Sequence, residues 1–540
     1  MTHSDRRQFL GQSAALAAGC FVAPAIAADP PKALVNGQPQ AATAGNAVLA
    51  AGGNAVDAVV AGALVAGVVA VTSTGIGGYG GHVVIAKPNG KVTAIDFNST
   101  APAAAKPDMF SVDEKGVVKD KTNTFGWLAA GVPGVLAGLQ LALDKFGTKK
   151  FAELVKPAIR YARGGFPVTK GLATAIKTAR ERLAKDPGSA KLFFDKGEPL
   201  AEGATVRNPD LADMLQALAE KGKVDDFYRG KIAEKIAAAF KANGGLVTAD
   251  DLAAYRATEV TPLSVEWKGH TLYTPPPTAG GLTVLETISI LSALGWPDGD
   301  AMSPTSVQTR LEAMRIAWDD RLTMLGDPKH ADVVVERLLS EKSAKSNAKQ
   351  IQIAVKSKKP VPGKTDGRTA GGTIHLNAVD ASGMMVALTF THGNAFGAQV
   401  SVDGLGLILG HGMSRFDPRP GQPNSPGPGK KPLHNMCPTV VVRDGKPVLA
   451  IGATGGRKIP NTVCDVLAYR LGAGQSLADA VKAPRLHTEG DLSLLVEKEW
   501  PEAVTDRLKE VGYAVKAGTG ATLSAIERDA GTGELRAAAR

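Results

Sequence analysis

Cysteine is scarce in this sequence: three occur in 540 residues. Cys20 falls in a leader-like segment, which leaves Cys437 and Cys464. Two cysteines exclude a disulfide framework; a single bridge is compatible with an oxidising compartment, and nothing in the spacing demands one. Aromatic residues make up only 5%. There is no basic stripe with interleaved aromatics, no zinc-finger spacing and no P-loop, which argues against nucleic acid as a partner. No internal repeat is evident. The run from 54 to 71 is apolar enough to suggest a membrane span, but it contains Asp57 and small, glycine-punctuated turns. A buried helix is the expectation there, with no stable membrane insertion.

What the sequence does have begins with a leader. Arg6-Arg7-Gln8-Phe9-Leu10, an Ala-rich apolar stretch and Ala25-Ile26-Ala27 read as a twin-arginine export signal over 1–28, removed near Ala27 or Ala28. Lipid anchoring at Cys20 is a weaker alternative. The expectation is a soluble periplasmic or secreted protein. The net charge of +10 is spread along the chain.

Residues 40–110 read as a buried Ala-rich helix, a Gly-rich turn over 75–81 and two strands, 82–87 and 91–97. Helices dominate from about 125 to 340, with Thr248 as an N-cap and an apolar helix over 282–294. From 341 to 372, Lys356, Lys358, Lys359, Lys364 and Arg368 crowd a segment with Pro, Gly and Ser, which predicts a solvated, mobile stretch. Strands follow at 374–379, 384–391, 439–443 and 447–452, separated by a Pro/Gly-rich loop over 417–433.

The chemistry centres on Gly371-Gly372-Thr373. A Gly-rich run ends where an alternating strand begins, and pattern alone allows an ordinary loop feeding a hairpin. If the backbone is cut between Gly372 and Thr373, however, the new α-amino group sits beside the Thr373 hydroxyl. That amine titrates near pH ~8 and can act as the hydroxyl's base, so one residue carries nucleophile and base. The two glycines would permit the backbone geometry in which the hydroxyl attacks its own preceding carbonyl. A loop at 380–383 brings Thr391 to within one residue of Thr373. Thr391 either hydrogen-bonds the Thr373 hydroxyl or forms a cross-strand pair that serves stability alone. Gly455-Gly456, between a strand and a helix, forms a nest of N–H groups suited to an oxyanion, although Gly-Gly turns are common.

Together these residues resemble the gamma-glutamyltranspeptidase family of self-processing N-terminal-nucleophile hydrolases. The likeness extends over nearly the whole mature chain. It includes Gly52-Gly53-Asn54-Ala55-Val56-Asp57-Ala58, Asn243-Gly244-Gly245-Leu246, Thr274–Gly281, Leu325-Gly326-Asp327-Pro328, Thr373-Ile374-His375 and Ala480-Val481-Lys482-Ala483-Pro484-Arg485. The resemblance implies an α/β fold, a four-layer αββα sandwich cut into a large subunit (29–372) and a small one (373–540) that stay associated. It implies Thr373 as nucleophile, Thr391 as supporting hydroxyl and Gly455 and Gly456 as oxyanion hole. No cofactor and no metal is called for.

The departures are informative. Where the family grips a glutamyl α-carboxylate with an Arg after Asp-Phe, this chain has Asn98; where the family has a Ser-Ser pair, it has His434-Asn435. The family's amino-group ligands fall at Gly393, Gly412 and Arg415. The expectation is therefore an exported amide hydrolase or acyltransferase acting on a small-molecule amide, its non-standard acyl pocket including Asn98, Arg415, His434 and Asn435. A conventional γ-glutamyl hydrolase or transpeptidase is the alternative, and a catalytically silent binding protein of the same fold a further one.

Overall fold

The computed structural model describes residues 32–114, 116–363 and 372–540. The export signal, Gly371 and the 364–371 part of the basic segment lie outside the described residues.

Two six-stranded antiparallel sheets form the centre. In chain order the strands are β1 (Leu34–Gly37), β2 (Gly80–Ala86), β3 (Val92–Asp96), β4 (Thr258–Val260), β5 (Leu263–Trp267), β6 (His270–Thr274), β7 (Gly372–Val379), β8 (Met385–Gly393), β9 (Thr439–Arg443), β10 (Lys446–Thr454), β11 (Thr522–Arg528) and β12 (Leu535–Ala539). The first sheet runs β1-β7-β8-β2-β3-β4 and the second β12-β11-β10-β9-β6-β5. Both sheets combine strands from before and after residue 372, with β7 and β8 between β1 and β2 in the first and β9 beside β6 in the second, so a cut there leaves two pieces joined by ladder hydrogen bonds.

The sheets face each other through a small apolar layer that includes Val84, Val379, Met385, Val440, Ala450 and Ile526. Alternation along the strands sends neighbouring residues outward. Val83, Ile85, Leu376 and Leu388 join the helical core over the first sheet, which includes α1 (Pro39–Ala50), α2 (Ala55–Val69) and α3 (Val135–Phe146). Leu449 and Ile451 join the core over the second, with α4 (Gly281–Ala293), α5 (Pro304–Met324), α6 (Glu341–Ser357) and α7 (Lys458–Leu467). The result is the expected four-layer αββα sandwich, each buried aliphatic side chain contributing roughly 1.5–3 kcal/mol.

The apolar run near 54 is the buried helix α2, begun by a capping box between Asn54 and Asp57. The Asp57 charge is accommodated because its carboxylate accepts Thr148 N at 2.9 Å, Lys149 N at 3.0 Å and the Thr148 hydroxyl at 2.6 Å. Among the described residues no helix is long and apolar enough to cross a membrane.

The mobile stretch expected over 341–372 is wrong in its first half. Helix α6 occupies Glu341–Ser357, N-capped by Ser340, and buries Ala344, Ala348, Ile351 and Ala354. That helical spacing, on small residues diluted by lysines, was outweighed in the sequence by the charge run. The hairpin register also differs by one: Val379 pairs with Met385, not Met384. The Asp380 carboxylate gathers Ser382 N, Met384 N and the Ser382 hydroxyl, which closes the turn on Asp380 and Met384.

Candidate active site

Thr373 lies at a β-bulge. Gly372 pairs with Gly393 and Ile374 with Phe390, and the register shifts between them, so Thr373 is released from regular pairing opposite Thr391. Both threonines are buried, at 3% and 1% exposure. Close approach makes Gly372 a glycine: a Cβ there would stand 2.8 Å from the Thr72 carbonyl oxygen and 3.1 Å from that of Gly393.

The two hydroxyls meet on one atom. Thr373 Oγ1 donates to the Gly372 carbonyl oxygen at 2.6 Å, and Thr391 Oγ1 donates to the same oxygen at 2.6 Å. Thr391 therefore contacts the carbonyl of the bond before Thr373 rather than the Thr373 hydroxyl. It is itself held by Gly393 N, which donates to Oγ1 at 2.8 Å.

On the other side, the Thr454 hydroxyl donates to the Thr373 carbonyl oxygen. Sequence reasoning passed over Thr454, although it immediately precedes the Gly455-Gly456 pair. Those glycines have φ of +147° and +64°, which only glycine adopts readily, and they link β10 to α7. Below Thr373 on the same strand face, His375 bridges Thr389 Oγ1 (2.7 Å) and Asn377 Oδ1 (2.9 Å), and Asn377 Nδ2 donates to the Ser524 carbonyl at 2.9 Å. Burial lowers the His375 pKa to about 4, so this bracket between the sheets is neutral.

The expected acyl-pocket residues come together unequally. Burial raises the Tyr79 pKa, and the nearby Arg415 charge and Thr391 oppose that rise. Arg415 Nε is buried and makes no hydrogen bond among the described residues. His434 is buried; its Nδ1 accepts from Met436 N at 3.2 Å, so the neutral ring carries its proton on Nε2, which is buried and unpartnered. Burial, then the His82, Arg321, Arg415 and Lys431 neighbours, hold the His434 pKa well below its ordinary value. Asn435 is a supporting contact: Arg321 Nη2 donates to its Oδ1 at 3.4 Å and to the His434 carbonyl at 2.6 Å. Asn98 is fully buried and its amide nitrogen is committed to Thr278 Oγ1 (2.7 Å) and the Pro432 carbonyl (2.8 Å), leaving only Oδ1 unpartnered.

Gly393 and Gly412 make room for other groups. A Cβ on Gly393 would lie 1.8 Å from His411 Nε2, and one on Gly412 would lie 3.0 Å from Tyr79 Cβ. His411 and Tyr79 thus fill the space where the resemblance placed amino-group ligands. The Pro/Gly-rich loop also contributes a cation. Lys431 Nζ pairs with Asp96 Oδ2 at 2.6 Å, and Asp96 Oδ1 faces His82 Nε2 at 3.2 Å. Burial pushes the Asp96 carboxyl up, but His82, Lys431 and the hydrogen bonds to it outweigh that and hold it below its ordinary value. The His82 ring packs on His434 with centroids 4.8 Å apart. Tyr79, His82, Asp96, Arg321, His411 and Lys431 carried no usable signal in the sequence, because long-range packing alone assembles them.

The gamma-glutamyltranspeptidase family model matches residues 41–540. The glutathione hydrolase proenzyme of Escherichia coli (strain K12) is 38% identical over 483 residues, covering 86% of this chain and 83% of the relative. The acylase ACY 1 proenzyme of Pseudomonas sp. (strain V22) is 34% identical over 451 residues, covering 82% and 79%. Among solved structures, the cephalosporin acylase from Bacillus halodurans superposes with a TM-score of 0.84 at 27% identity, covering 94% of this chain and 96% of that one. With its sandwich and its threonine hairpin, the chain belongs to the gamma-glutamyltranspeptidase family of amide hydrolases and acyltransferases.

Proposed function

We propose that this protein is an exported, self-processing N-terminal-threonine amidase or acyltransferase whose acyl pocket accepts a chain ending in an anionic or neutral group rather than a glutamyl head. In maturation, Thr373 Oγ adds to the Gly372 carbonyl carbon and the C–N bond breaks. The hydroxyl proton goes to the departing nitrogen, which becomes the α-amine, and water then hydrolyses the Gly372 ester. In turnover, that amine takes the Thr373 hydroxyl proton as Oγ attacks the substrate amide, and the proton leaves with the amine product. Gly455 and Gly456 N–H groups hold the oxyanion. Water, or an acceptor amine, then takes the acyl group from Thr373.

The observation that carries the specificity reading is Arg415. A guanidinium with no carboxylate partner among the described residues, and with a buried, unpartnered Nε, repels a substrate ammonium and attracts a carboxylate. The relatives named as proenzymes support self-processing, and the one named as an acylase supports a non-glutamyl acyl group. The 38% identity to a glutathione hydrolase favours the conventional γ-glutamyl reading instead. Comparison of kcat/KM for a glutaryl anilide and a γ-glutamyl anilide separates them. The glutaryl compound, lacking the amine, should be favoured about tenfold or more; a clear γ-glutamyl preference restores the conventional activity.

A further inference from the structure

Gly393 ends β8 with a φ of +101°, and two successive N–H groups there are committed to side chains. Its own N–H donates to Thr391 Oγ1 at 2.8 Å, and the next one, Asn394 N–H, donates to His411 Nε2 at 2.5 Å. The ring stands so close that a Cβ on Gly393 would lie 1.8 Å from Nε2. Glycine at 393 and histidine at 411 are therefore matched, the backbone coming up to the ring with nothing between. His411 is buried, and its backbone N–H donates to the His392 carbonyl at 3.0 Å, which ties it to the same strand.

Counting donors places the proton on the ring. A backbone N–H can only donate, so Nε2 accepts and carries no proton. In a neutral ring the proton is then on Nδ1, whose neighbour is Ser414 Oγ. Ser414 gives its own hydroxyl proton to the His411 carbonyl at 2.9 Å, which leaves its oxygen free to accept from Nδ1–H. A proton on Nε2 would instead set two N–H groups against each other. Burial, then Arg415 and His392, hold the His411 pKa well below its ordinary value, so the ring stays neutral.

Thr391 gains a direction from this arrangement. Gly393 N–H occupies one lone pair of Oγ1, so the hydroxyl proton has to point elsewhere. The Gly372 carbonyl oxygen at 2.6 Å is far nearer than that of Ser73 at 3.3 Å.

We infer that His411, with its proton on Nδ1, is a positioning residue for self-processing: it fixes the Gly393–Asn394 turn, which aims the Thr391 hydroxyl at the carbonyl that Thr373 attacks. His411 touches no reacting atom and acts through Gly393 and Thr391. Ser414 selects the form of the ring.

This inference rests on the self-processing reading, and the full chain tests both. Imidazole nitrogen NMR spectra of histidine-labelled protein read the ring directly, its signals being those that vanish in His411→Gln. They should show a neutral ring protonated on Nδ1; a proton on Nε2 overturns the inference. Maturation is followed as loss of the uncut chain on denaturing gels. His411→Leu fills similar space but accepts nothing, and it should mature roughly tenfold more slowly than the parent. His411→Gln, whose amide oxygen can accept from Asn394 N–H, should recover most of that rate. A role in packing alone would slow the two alike, and that result, or His411→Leu at the parental rate, sinks the inference. Should His411→Leu melt well below the parent, Ser414→Ala takes its place. It leaves Nδ1–H without its acceptor and should mature severalfold more slowly; parental kinetics would defeat the inference. A parent that never cuts removes the self-processing reading and this inference together, whereas a maturing parent matched by its variants removes the inference alone.

Discussion

The Thr391 hydroxyl lies 2.6 Å from the carbonyl oxygen of Gly372 and donates to it. In the proposed self-processing, a donor at that point would stabilise negative charge on the oxygen as a tetrahedral intermediate forms, which gives Thr391 a proposed part in the cutting step beside the hairpin's packing. Thr391→Val removes the donor at nearly constant volume. It should slow self-cleavage by on the order of 10²–10³, the usual cost of one oxyanion donor, while Thr391→Ser should retain most of the rate. Parental cleavage kinetics in a folded Thr391→Val chain would show the contact to be incidental.

Thr373→Ala should remain a single uncut chain with the parent's melting behaviour. The parent should separate into pieces of roughly 35 and 17 kDa, scaled by residue number from the 55.7 kDa whole. Sequencing the smaller piece from its N-terminus should read Thr-Ile-His; any other start moves the nucleophile elsewhere.

Much of this hairpin was legible beforehand because it is local. The alternation after Thr373 and a short turn at 380–383 fix which residues face each other, so arithmetic put Thr391 beside Thr373 even with the register wrong by one. The bulge that frees Thr373 was not legible, since it depends on Gly372 packing against Thr72 and Gly393. Nor was the pocket. Gly393 looks like a lost ligand in the sequence, and only the fold reveals His411 in the space a side chain would need. Lys431 reaches Asp96 across 335 positions, a separation no local pattern encodes. Helix α6 was missed for the opposite reason: its local signal existed, but four small or apolar residues at helical spacing were hidden among lysines.

The Gly455-Gly456 turn is held at φ values that a side chain strains. Proline is a poor probe there, since its φ near −65° cannot match +64° at Gly456. Gly455→Ala is more informative, because its Cβ would press to 2.9 Å from the Ala521 Cβ and tilt both N–H groups. Such a variant should lose on the order of 10²–10³ in kcat with little change in KM. Unchanged kcat in a folded variant with a displaced turn would remove the nest from the mechanism.

Stability should fall in mild acid, and His375 should account for part of the fall. Its folded pKa is lowered to about 4 by burial, below the ~6.5 of an unfolded histidine. The unfolded chain therefore binds the extra proton first. Stability from this group is fully present above about pH 6.5 and is lost as pH falls towards 4, by about 3 kcal/mol at most. His82, lowered to about 4, and His392, lowered to about 3, both by burial, act in the same direction. Melting temperatures taken between pH 7 and pH 4.5 should drop less steeply for His375→Gln than for the parent; equal slopes would mean that His375 is not buried neutral.

Arg415 offers the sharpest test of what the pocket reads. Its buried Nε lacks a partner among the described residues, and leaving a guanidinium unsatisfied is costly unless a ligand completes it. His434 places a second unpartnered donor, Nε2–H, in the same neighbourhood, with its ring held neutral. Two donors, one of them cationic, suit an acyl chain ending in a carboxylate; a terminal carboxamide preserves the shape and removes the charge. Glutaryl anilide and its terminal amide are therefore the right pair, measured on fully matured enzyme so that slower processing does not enter the comparison. The parent should prefer the acid by about tenfold or more in kcat/KM, equivalent to ~1.4 kcal/mol. Arg415→Gln, which keeps hydrogen-bonding capacity without charge, should bring that ratio close to one, mainly by raising KM for the acid. A preference for the acid that survives Arg415→Gln would assign the recognition to the other cations beside His434, Arg321 and Lys431, and remove Arg415 from it.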